Sequence, residues 1–411
     1  MAEYGLLGAK LSHSFSKEIH EKIADYEYEL IELDSEGLDV FLKEKKFKAV
    51  NVTIPYKQAV IPYLDEMTEA AETIGAVNCI RNEEGRLIGH NTDFDGMKGL
   101  INHMGIDIRG KKVLILGTGG TSDTAFAVCK TLGAGVIIKV SRWKKEGTVT
   151  YEEAKSTHKD AHIIINTTPC GMYPKQYESP LNLDGFECLE GILDVVYNPL
   201  RTQLVSDALE RGIKAEGGLY MLVEQAVRAS EFFLNTKYCN YVTENVFEEL
   251  SSKKQNIVLT GMPASGKTTV GRIVANALKR PFYDTDLLIE KKAGMKISCI
   301  FEDYGEKYFR DLEAEVIKDV SMRNGIVIAT GGGAVLRPEN IKALKLNGKI
   351  FFRDRKPEDL LPTKNRPTAS TREQIIKRYE ERYPLYISTC DYIVKHQESA
   401  QGAADEILGE I

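Results

Sequence analysis

The sequence has no uninterrupted apolar stretch of about 18 residues, the length that a membrane-crossing helix requires. It also has no C-x-x-C pair, since its seven cysteines are scattered along the chain and odd in number. Its first residues, Met-Ala-Glu-Tyr-Gly, lack the basic and apolar regions of a secretory signal peptide. We therefore expect a cytoplasmic protein with reduced thiols and no membrane partner.

The sequence has no excess of basic residues either. It contains 60 Asp and Glu against 54 Lys and Arg, a formal net charge of -6. Nucleic-acid-binding domains usually carry clustered lysines and arginines, so we expect no nucleic-acid partner. With 43% apolar and 28% charged residues the composition is ordinary for a globular protein, and the length of 411 residues predicts two or three domains. The sequence does not indicate the oligomeric state.

Short apolar runs alternate with helix-like stretches, which predicts βαβ units and parallel sheets and hence an α/β fold. The polar segment 250–255 is the predicted linker between two parts of the chain. A second, less clearly marked domain boundary is predicted near residues 100–110, where Met104 and Arg109 are each followed by glycine. The apolar runs are 113–116, 135–140, 162–165, 192–196, 257–259 and 326–329.

Residues 261–268 read G-M-P-A-S-G-K-T directly after the apolar run 256–260. This is the P-loop pattern in the strand-then-helix setting that it requires. In such loops the backbone amides cradle phosphates, the lysine (Lys267) reaches the β- and γ-phosphates, and the following hydroxyl (Thr268) ligates Mg²⁺. We therefore predict an ATP site. Its residues are Gly261, Ala264, Ser265, Gly266, Lys267, Thr268 and Thr269.

The apolar run after the P-loop helix ends in two carboxylates, Asp284 and Asp286. Residues two apart on a strand point to one face, so one carboxylate can help to hold Mg²⁺ while the other meets a substrate hydroxyl. Arginines and a glycine cluster follow at intervals, each unremarkable alone. They are Arg310, Gly331, Gly332, Gly333, Arg366 in a polar segment suited to a lid, and Arg382.

A second glycine-rich turn follows the apolar run 111–116. It has Gly117, Gly119 and Gly120, but Ser122 stands where a full dinucleotide fingerprint has glycine, so alone it also fits a plain turn. The next strand ends at Arg142 and Lys144, and an arginine there accommodates the 2′-phosphate of NADP. We predict that these five residues bind NADP(H), with a solvated basic turn as the alternative.

Polar clusters in the first hundred residues indicate a loop-rich site, although spacing alone fits turns equally well. The clusters and later segments together closely resemble shikimate dehydrogenase, in that family's order. The segments are S-H-S-F-S (12–16), N-V-T-I-P-Y-K (51–57), I-G-A-V-N (74–78), N-T-D (91–93), N-T-T-P-C-G-M (166–172), D-V-V-Y-N-P (194–199) and G-G-L-Y-M-L-V-E-Q-A (217–226).

The resemblance implies an α/β substrate domain over 1–104, with a helix at about 225–250 packing back, and a Rossmann-type NADP domain over 105–224. It implies that Lys57 and Asp93 form the catalytic pair, in which the ammonium gives a proton and the carboxylate orients it. It implies further roles in binding: Ser14 and Ser16 for the substrate carboxylate, Thr53, Asn78 and Gln225 for ring hydroxyls or the carboxylate, and Tyr197 and Gly218 between substrate and nicotinamide. The chain departs from the family's pattern at Lys10, Lys17, Cys79 and Asp123.

Residues 256–411 resemble shikimate kinase, a nucleoside-monophosphate kinase-like P-loop fold with a central parallel sheet. The resemblance implies that Asp286 contacts the shikimate hydroxyl and that Arg310 and Arg382 hold the carboxylate. Gly331 to Gly333 would line the substrate site. Asp284 would assist Mg²⁺, and Arg366 would close over the nucleotide phosphates.

The two resemblances together predict a bifunctional enzyme that reduces 3-dehydroshikimate with NADPH and phosphorylates the resulting shikimate with ATP and Mg²⁺. One alternative is a dehydrogenase half that also takes quinate, with NAD, against which Arg142 argues. Another is a catalytically inactive regulator. That alternative predicts loss of the key polar residues, but Lys57, Asp93, Lys267 and Asp286 are all present.

Overall fold

The computed structural model describes residues 3–11, 14–239, 241–360, 372–396 and 398–411. The chain divides into two compact units. The first unit comprises Met1–Asn198 and Asp207–Leu250, and the second comprises Pro199–Ser206 and Ser251–Ile411. The described strands form three sheets, of which two lie in the first unit and one in the second.

The first sheet is mixed. Its strands are β1 (Tyr4–Gly8), β2 (Tyr28–Glu32), β3 (Ala49–Val52), β4 (Glu66–Met67), β5 (Cys79–Glu83) and β6 (Arg86–His90). Its order is β2-β1-β3-β5-β6-β4, with antiparallel pairing of β3 with β5 and of β5 with β6 and parallel pairing elsewhere. The helices are α1 (Ser16–Ile23), α2 (Ser35–Glu44), α3 (Glu69–Ile74) and α4 (Asp93–His103), with a 3₁₀ turn at Ile61–Tyr63.

The second sheet is entirely parallel. Its strands are β7 (Lys112–Leu116), β8 (Val136–Ser141), β9 (Thr148–Thr150), β10 (Ile163–Asn166), β11 (Gly191–Asp194) and β12 (Lys214–Glu216). The helices are α5 (Gly120–Thr131), α6 (Tyr151–Thr157), α7 (Gln203–Glu210), α8 (Leu219–Leu234) and α9 (Tyr241–Lys254). In order of appearance the strands lie 6-5-4-1-2-3, the order of dinucleotide-binding folds, so the predicted Rossmann-type sheet is confirmed.

The helix predicted at about 225–250 is two helices in the structure. Asn235, with a φ of 50°, ends α8, and α9 begins at Tyr241. The predicted linker 250–255 is helical through Lys254, and the division between the two compact units falls within it, after Leu250. Its polar residues include good helix formers and neither glycine nor proline, so polarity there marks a solvated helix rather than a break. The other predicted domain limits stay predictions.

The third sheet is also parallel, in the order β14-β15-β13-β16-β17. Its strands are β13 (Asn256–Thr260), β14 (Phe282–Asp284), β15 (Val327–Ala329), β16 (Gly348–Arg353) and β17 (Tyr392–Val394). The helices are α10 (Lys267–Leu278), α11 (Thr285–Ala293), α12 (Ile297–Ser321), α13 (Pro338–Lys345), α14 (Arg372–Thr389) and α15 (Ala400–Gly409), with 3₁₀ turns at Ala334–Leu336 and Pro357–Asp359. The central strand β13 is buried along its whole length, as expected for a parallel sheet that is covered on both faces.

Helix α12 is interrupted at Gly305, whose φ of 81° is non-helical. A residue with a side chain rarely adopts that conformation, so glycine is needed at this kink. None of the helices in the described part of the chain is long and apolar enough to cross a membrane.

Candidate active sites

A cavity of about 510 Å³ in the first unit lies at the carboxyl ends of β1 and β3, beside the start of α1 and α4. Segments that are far apart in the sequence meet there. The ends of β1 and β3 share one edge of the first sheet, and Tyr197, after β11, and Gln225, on α8, line the same cavity. The cavity brings together every residue that the resemblance assigns to the dehydrogenase substrate or to its chemistry. These are Ser14, Ser16, Thr53, Lys57, Asn78, Asp93, Tyr197 and Gln225.

Lys57 and Asp93 form an ion pair in this cavity, with 2.5 Å between Nζ and Oδ2. Asp93 is 6% exposed and is the first residue of α4, where the helix dipole favours a carboxylate. Its other oxygen accepts a hydrogen bond from Asn78 Nδ2 at 2.9 Å, and its backbone N–H donates to Asn91 Oδ1 at 2.9 Å. The carboxylate is therefore fixed in place, and it holds the ammonium group of Lys57 toward the cavity.

Two hydroxyls line the same cavity at the start of α1. Ser14 Oγ donates to Ser16 Oγ at 3.0 Å, and the backbone N–H of Ser16 donates to Ser14 Oγ at 3.2 Å. Helix N-termini attract anions because their first N–H groups have no partner within the helix. This end of the cavity is suited to a carboxylate.

Three polar residues of this cavity were not predicted from the sequence. His20 is buried, stacks on Tyr28 with 4.1 Å between ring centroids, and bonds to the Tyr26 hydroxyl through Nδ1 at 2.6 Å. Burial lowers the pKa of His20 from 6.5 to about 3, so the ring is neutral near pH 7. The spacing of Ser16 and His20 by four residues on α1 was a usable signal, because such residues share a helix face.

The other two missed residues are Asn51 and Lys10. Asn51 accepts a hydrogen bond from the Tyr28 hydroxyl at 2.7 Å and donates to the backbone oxygen of Asn78 at 3.2 Å. Lys10 is exposed at the cavity and forms no salt bridge with any described residue. Since Lys57 is paired with Asp93, Lys10 is the cavity cation that is left uncompensated within the described residues.

The predicted cofactor glycines lie at the turn between β7 and α5. Gly117 has a φ of 117°, and a Cβ there would lie 2.7 Å from Thr167 Oγ1, so only glycine fits. A Cβ at Gly119 or Gly120 would meet nothing within 4 Å, so the start of α5 faces open space. Exposed N–H groups at the start of a 12-residue helix suit a pyrophosphate. Gly218 is different, because a Cβ there would lie 2.2 Å from the backbone oxygen of Val195 and close packing alone explains it.

Charges around this turn fit a phosphorylated nucleotide. Asp123, the acid in the phosphate loop, is paired with Lys139 at 2.6 Å, which compensates its charge. Lys144 is held by both carboxylate oxygens of Glu153 at 2.7 Å. Arg142 forms no salt bridge within the described residues, and Lys145 donates to Thr118 Oγ1 at 3.2 Å. Lys145, the other lysine of this turn, is thus better placed than Lys144 to meet a phosphate.

In the second unit the P-loop joins β13 to α10. Lys267 is 7% exposed and donates to the backbone oxygens of Gly261 and Met262 at 2.9 and 2.8 Å. Gly261 has a φ of 146°, and a Cβ there would lie 2.7 Å from the backbone oxygen of Arg353. Ser265 Oγ is buried without a hydrogen-bond partner among the described residues, and Gly266 has a φ of 89°. A tight loop with an orphaned hydroxyl and a buried lysine fits the phosphates of a nucleotide.

Thr268 and Asp284 meet beside the loop. Thr268 Oγ1 donates to Asp284 Oδ2 at 2.7 Å, and Asp284 Oδ1 accepts from the backbone N–H of Asp286 at 3.0 Å. In the described part of the chain no cluster of three or more His, Cys, Asp or Glu side chains could hold a metal. Mg²⁺ in kinases takes waters and nucleotide oxygens besides one or two protein ligands, so this hydroxyl and carboxylate fit it.

A cavity of about 550 Å³ lies beside the P-loop and contains the predicted kinase substrate residues. Arg382 Nη1 donates to the backbone oxygen of Gly332 at 3.0 Å. A Cβ at Gly331 would lie 2.6 Å from Asp286 Oδ1, and one at Gly333 would lie 2.1 Å from Arg310 Nη1. A side chain at either glycine would therefore displace the Asp286 carboxylate or the Arg310 guanidinium from its position. Arg366 lies outside the described residues.

Glu313 also lines this cavity and was not predicted from the sequence. It is fully buried, pairs with Arg310 Nη1 through Oε2 at 2.7 Å, and leaves Oε1 without a hydrogen-bond partner in the described part of the chain. Burial raises the pKa of Glu313, although the charge of Arg310 opposes the rise. Its spacing of three from Arg310 on α12 was the available signal, because such residues are neighbours on a helix.

Family comparisons agree with this arrangement. A model of the shikimate dehydrogenase substrate binding domain matches residues 6–80, and a shikimate kinase model matches residues 263–411. The shikimate dehydrogenase (NADP(+)) of Clostridium beijerinckii is 37% identical over 264 residues, which cover 60% of this chain and 97% of that protein.

Solved structures are similar over the same part of the chain. One is a chorismate mutase/shikimate 5-dehydrogenase fusion protein from Clostridium acetobutylicum, 33% identical with a TM-score of 0.58 over 62% of this chain and 98% of that one. Another is shikimate 5-dehydrogenase from Thermus thermophilus in complex with NADP(H) and shikimate, 28% identical with a TM-score of 0.55 over 61% of this chain and 99% of that one. The chain therefore belongs to the shikimate dehydrogenase family, and it carries a shikimate kinase domain in the same polypeptide.

Proposed function

We propose that the first unit reduces 3-dehydroshikimate to shikimate with NADPH and that the second unit phosphorylates shikimate with ATP. The observation that carries the first half is the Lys57–Asp93 ion pair, which lies in one cavity with the Ser14 and Ser16 hydroxyls. A small hydroxylated carboxylic acid needs both a group that binds its carboxylate and a proton donor at its reacting oxygen.

In the reductase reaction, NADPH supplies a hydride to the carbonyl carbon. Lys57 gives its ammonium proton to the carbonyl oxygen and regains a proton from solvent afterwards. Asp93 orients the Lys57 side chain through the 2.5 Å contact. Asn78, already bonded to Asp93, is placed to meet a ring hydroxyl. The two serines and the start of α1 bind the carboxylate.

NADP(H) binding is assigned to the glycine turn and the basic residues that follow β8. Gly119 and Gly120 leave room for the pyrophosphate at the start of α5. Arg142 and Lys145 bind the 2′-phosphate, an assignment that favours NADP over NAD. Tyr197 and Gly218 lie between substrate and nicotinamide in this proposal.

In the kinase reaction, Lys267 and the P-loop amides bind the ATP phosphates, while Thr268 and Asp284 would hold Mg²⁺, which would neutralise developing charge. Asp286 accepts the proton of the attacking shikimate hydroxyl. Arg310 and Arg382 bind the shikimate carboxylate in a cavity that is lined by Gly331 to Gly333. The family resemblance assigns Arg366, which lies outside the described residues, to the nucleotide phosphates.

The experiment for this proposal is a pair of separate assays on the purified chain. The first follows NADPH oxidation with 3-dehydroshikimate, and the second follows ADP formation with shikimate, ATP and Mg²⁺. Parallel assays with quinate and with NAD decide the breadth of the reductase. Absence of either main activity in folded protein contradicts the corresponding half, and absence of both supports a non-catalytic regulator.

A further inference from the structure

The chain has one tryptophan, Trp143, and it lies two residues beyond the end of β8. It is 76% exposed. Leaving so large an aromatic surface in water is costly, and exposed aromatic side chains are typical of binding sites. The reaction mechanism above leaves Trp143 without a role.

Trp143 belongs to a basic turn, residues 142–145, that is tied to the cofactor glycines. Strands β7 and β8 are parallel neighbours, and the backbone N–H of Gly117 donates to the oxygen of Val140 at 2.9 Å. Lys145 Nζ donates to Thr118 Oγ1 at 3.2 Å. The basic turn and the glycine turn therefore stand at the same edge of the sheet, in contact with each other.

The basic turn has a defined shape in the structure. Thr148 Oγ1 accepts from the backbone N–H of Lys145 at 3.1 Å and donates to its oxygen at 2.9 Å. The backbone N–H of Trp143 points to Ser141 Oγ at 3.4 Å. Trp143 is thus carried on a backbone that neighbouring side chains hold, which lowers the ordering cost of binding.

The chemistry of the turn selects its ligand. Arg142, next to Trp143, forms no salt bridge within the described residues, and Lys145 adds a second cation. A flat aromatic surface between cations suits a ligand with an aromatic base and a phosphate a few ångströms away. The adenosine 2′-phosphate part of NADP(H) has this composition, whereas an apolar protein partner would leave the cations unmatched.

We propose that Trp143 stacks on the adenine ring of NADP(H) and is a positioning residue for the cofactor. The inference rests on the proposed reductase function. Stacking of a base on an aromatic side chain contributes enough to change a dissociation constant about tenfold. Because the adenine lies far along the cofactor from its reacting carbon, the effect falls on cofactor binding and leaves the chemical step unchanged.

The test uses the fluorescence of the full-length protein, in which Trp143 is the single tryptophan. Titration with NADP⁺ and with adenosine 2′,5′-bisphosphate, which has the base and phosphates but no nicotinamide, should quench the emission saturably. Trp143→Ala should raise the KM for NADPH about tenfold at constant kcat, and Trp143→Phe should restore most of the affinity. Tyr241→Ala, which removes another exposed aromatic side chain, is the matched control.

Failure of this inference and failure of the proposed function give different results. Unquenched emission at saturating nucleotide, in protein that still reduces 3-dehydroshikimate with NADPH, overturns the role of Trp143 and leaves the reductase standing. An unchanged KM for NADPH in Trp143→Ala also overturns the role of Trp143 and leaves the reductase standing. Saturable quenching by both nucleotides in protein without reductase activity supports the stacking role while the proposed reaction fails.

Discussion

Lys57 Nζ lies 2.5 Å from Asp93 Oδ2, although the two residues are 36 positions apart in the chain. The contact joins the loop after β3 to the first residue of α4. It places a proton donor and its orienting carboxylate in a cavity that also contains two serine hydroxyls. The reductase mechanism depends on this contact.

Lys57→Ala should lower the reductase kcat by at least about 100-fold, because no other described side chain at the pair replaces the proton. Kinase activity should be unchanged, since the kinase residues lie in another unit. The measurement is kcat for NADPH oxidation and for ADP formation on the same preparation. The control is Lys46→Ala, a change at an exposed lysine. Loss of both activities in folded protein would contradict independent sites.

Lys267→Ala should abolish the kinase activity and leave the reductase activity unchanged. Its ammonium bonds the P-loop backbone and is buried at the phosphate position, so its loss should remove ATP turnover and leave NADPH oxidation intact. Isothermal titration with ATP and the two kcat values are the readouts. Lys291→Ala, an exposed lysine of the same unit, is the control. Normal ADP formation in Lys267→Ala would remove the P-loop from the mechanism.

Glu313→Gln should raise the KM for shikimate about tenfold with a smaller change in kcat. The buried carboxylate holds Arg310 at 2.7 Å, and a neutral amide holds a guanidinium less firmly. The split between KM and kcat distinguishes positioning of Arg310 from direct chemistry. Glu306→Gln is the matched control, because Glu306 also pairs with Arg310 but is 59% exposed. Equal effects of the two changes would refute the special role of burial.

His20 should make the first unit less stable in acid. Its pKa is about 3 when folded and 6.5 when unfolded, so the unfolded chain binds more protons and stability falls as pH drops through this window. From neutrality to about pH 5 the loss is about 2 kcal/mol. His20→Gln should remove this part of the pH dependence, as measured by urea unfolding at the two pH values. If the free energy of unfolding fell equally with pH in the wild-type protein and in His20→Gln, His20 would not be the titrating group.

Local patterns predicted a large part of this molecule. The parallel sheets follow from buried apolar runs such as those of β13 and β7, and the P-loop and glycine turn follow from short motifs that set backbone shape. Family order predicted which polar residues meet in each cavity. The parallel sheets, the P-loop and the glycine turn were predictable because adjacent residues, or residues at a fixed spacing along one element, determine them.

The features that were missed depend on contacts between distant residues. Burial of His20 and Glu313 arises from packing that neither residue's neighbours in the sequence reveal. Lys144 is engaged by Glu153, nine positions away, which makes Arg142 and Lys145 the cations proposed for the phosphate. The predicted linker 250–255 is helical through Lys254, and polarity alone does not distinguish an extended linker from a solvated helix.

The central claim is that one chain performs two consecutive reactions, and a coupled assay tests it most directly. Purified protein is incubated with 3-dehydroshikimate, NADPH, ATP and Mg²⁺, and the products are followed by mass spectrometry. The account predicts shikimate 3-phosphate from the wild-type protein, with shikimate accumulating in Lys267→Ala. In Lys57→Ala it predicts formation of shikimate 3-phosphate at least about 100-fold slower, unless shikimate is added. Absence of shikimate 3-phosphate from the wild-type protein, or its formation from 3-dehydroshikimate by Lys57→Ala at the wild-type rate, would contradict the account.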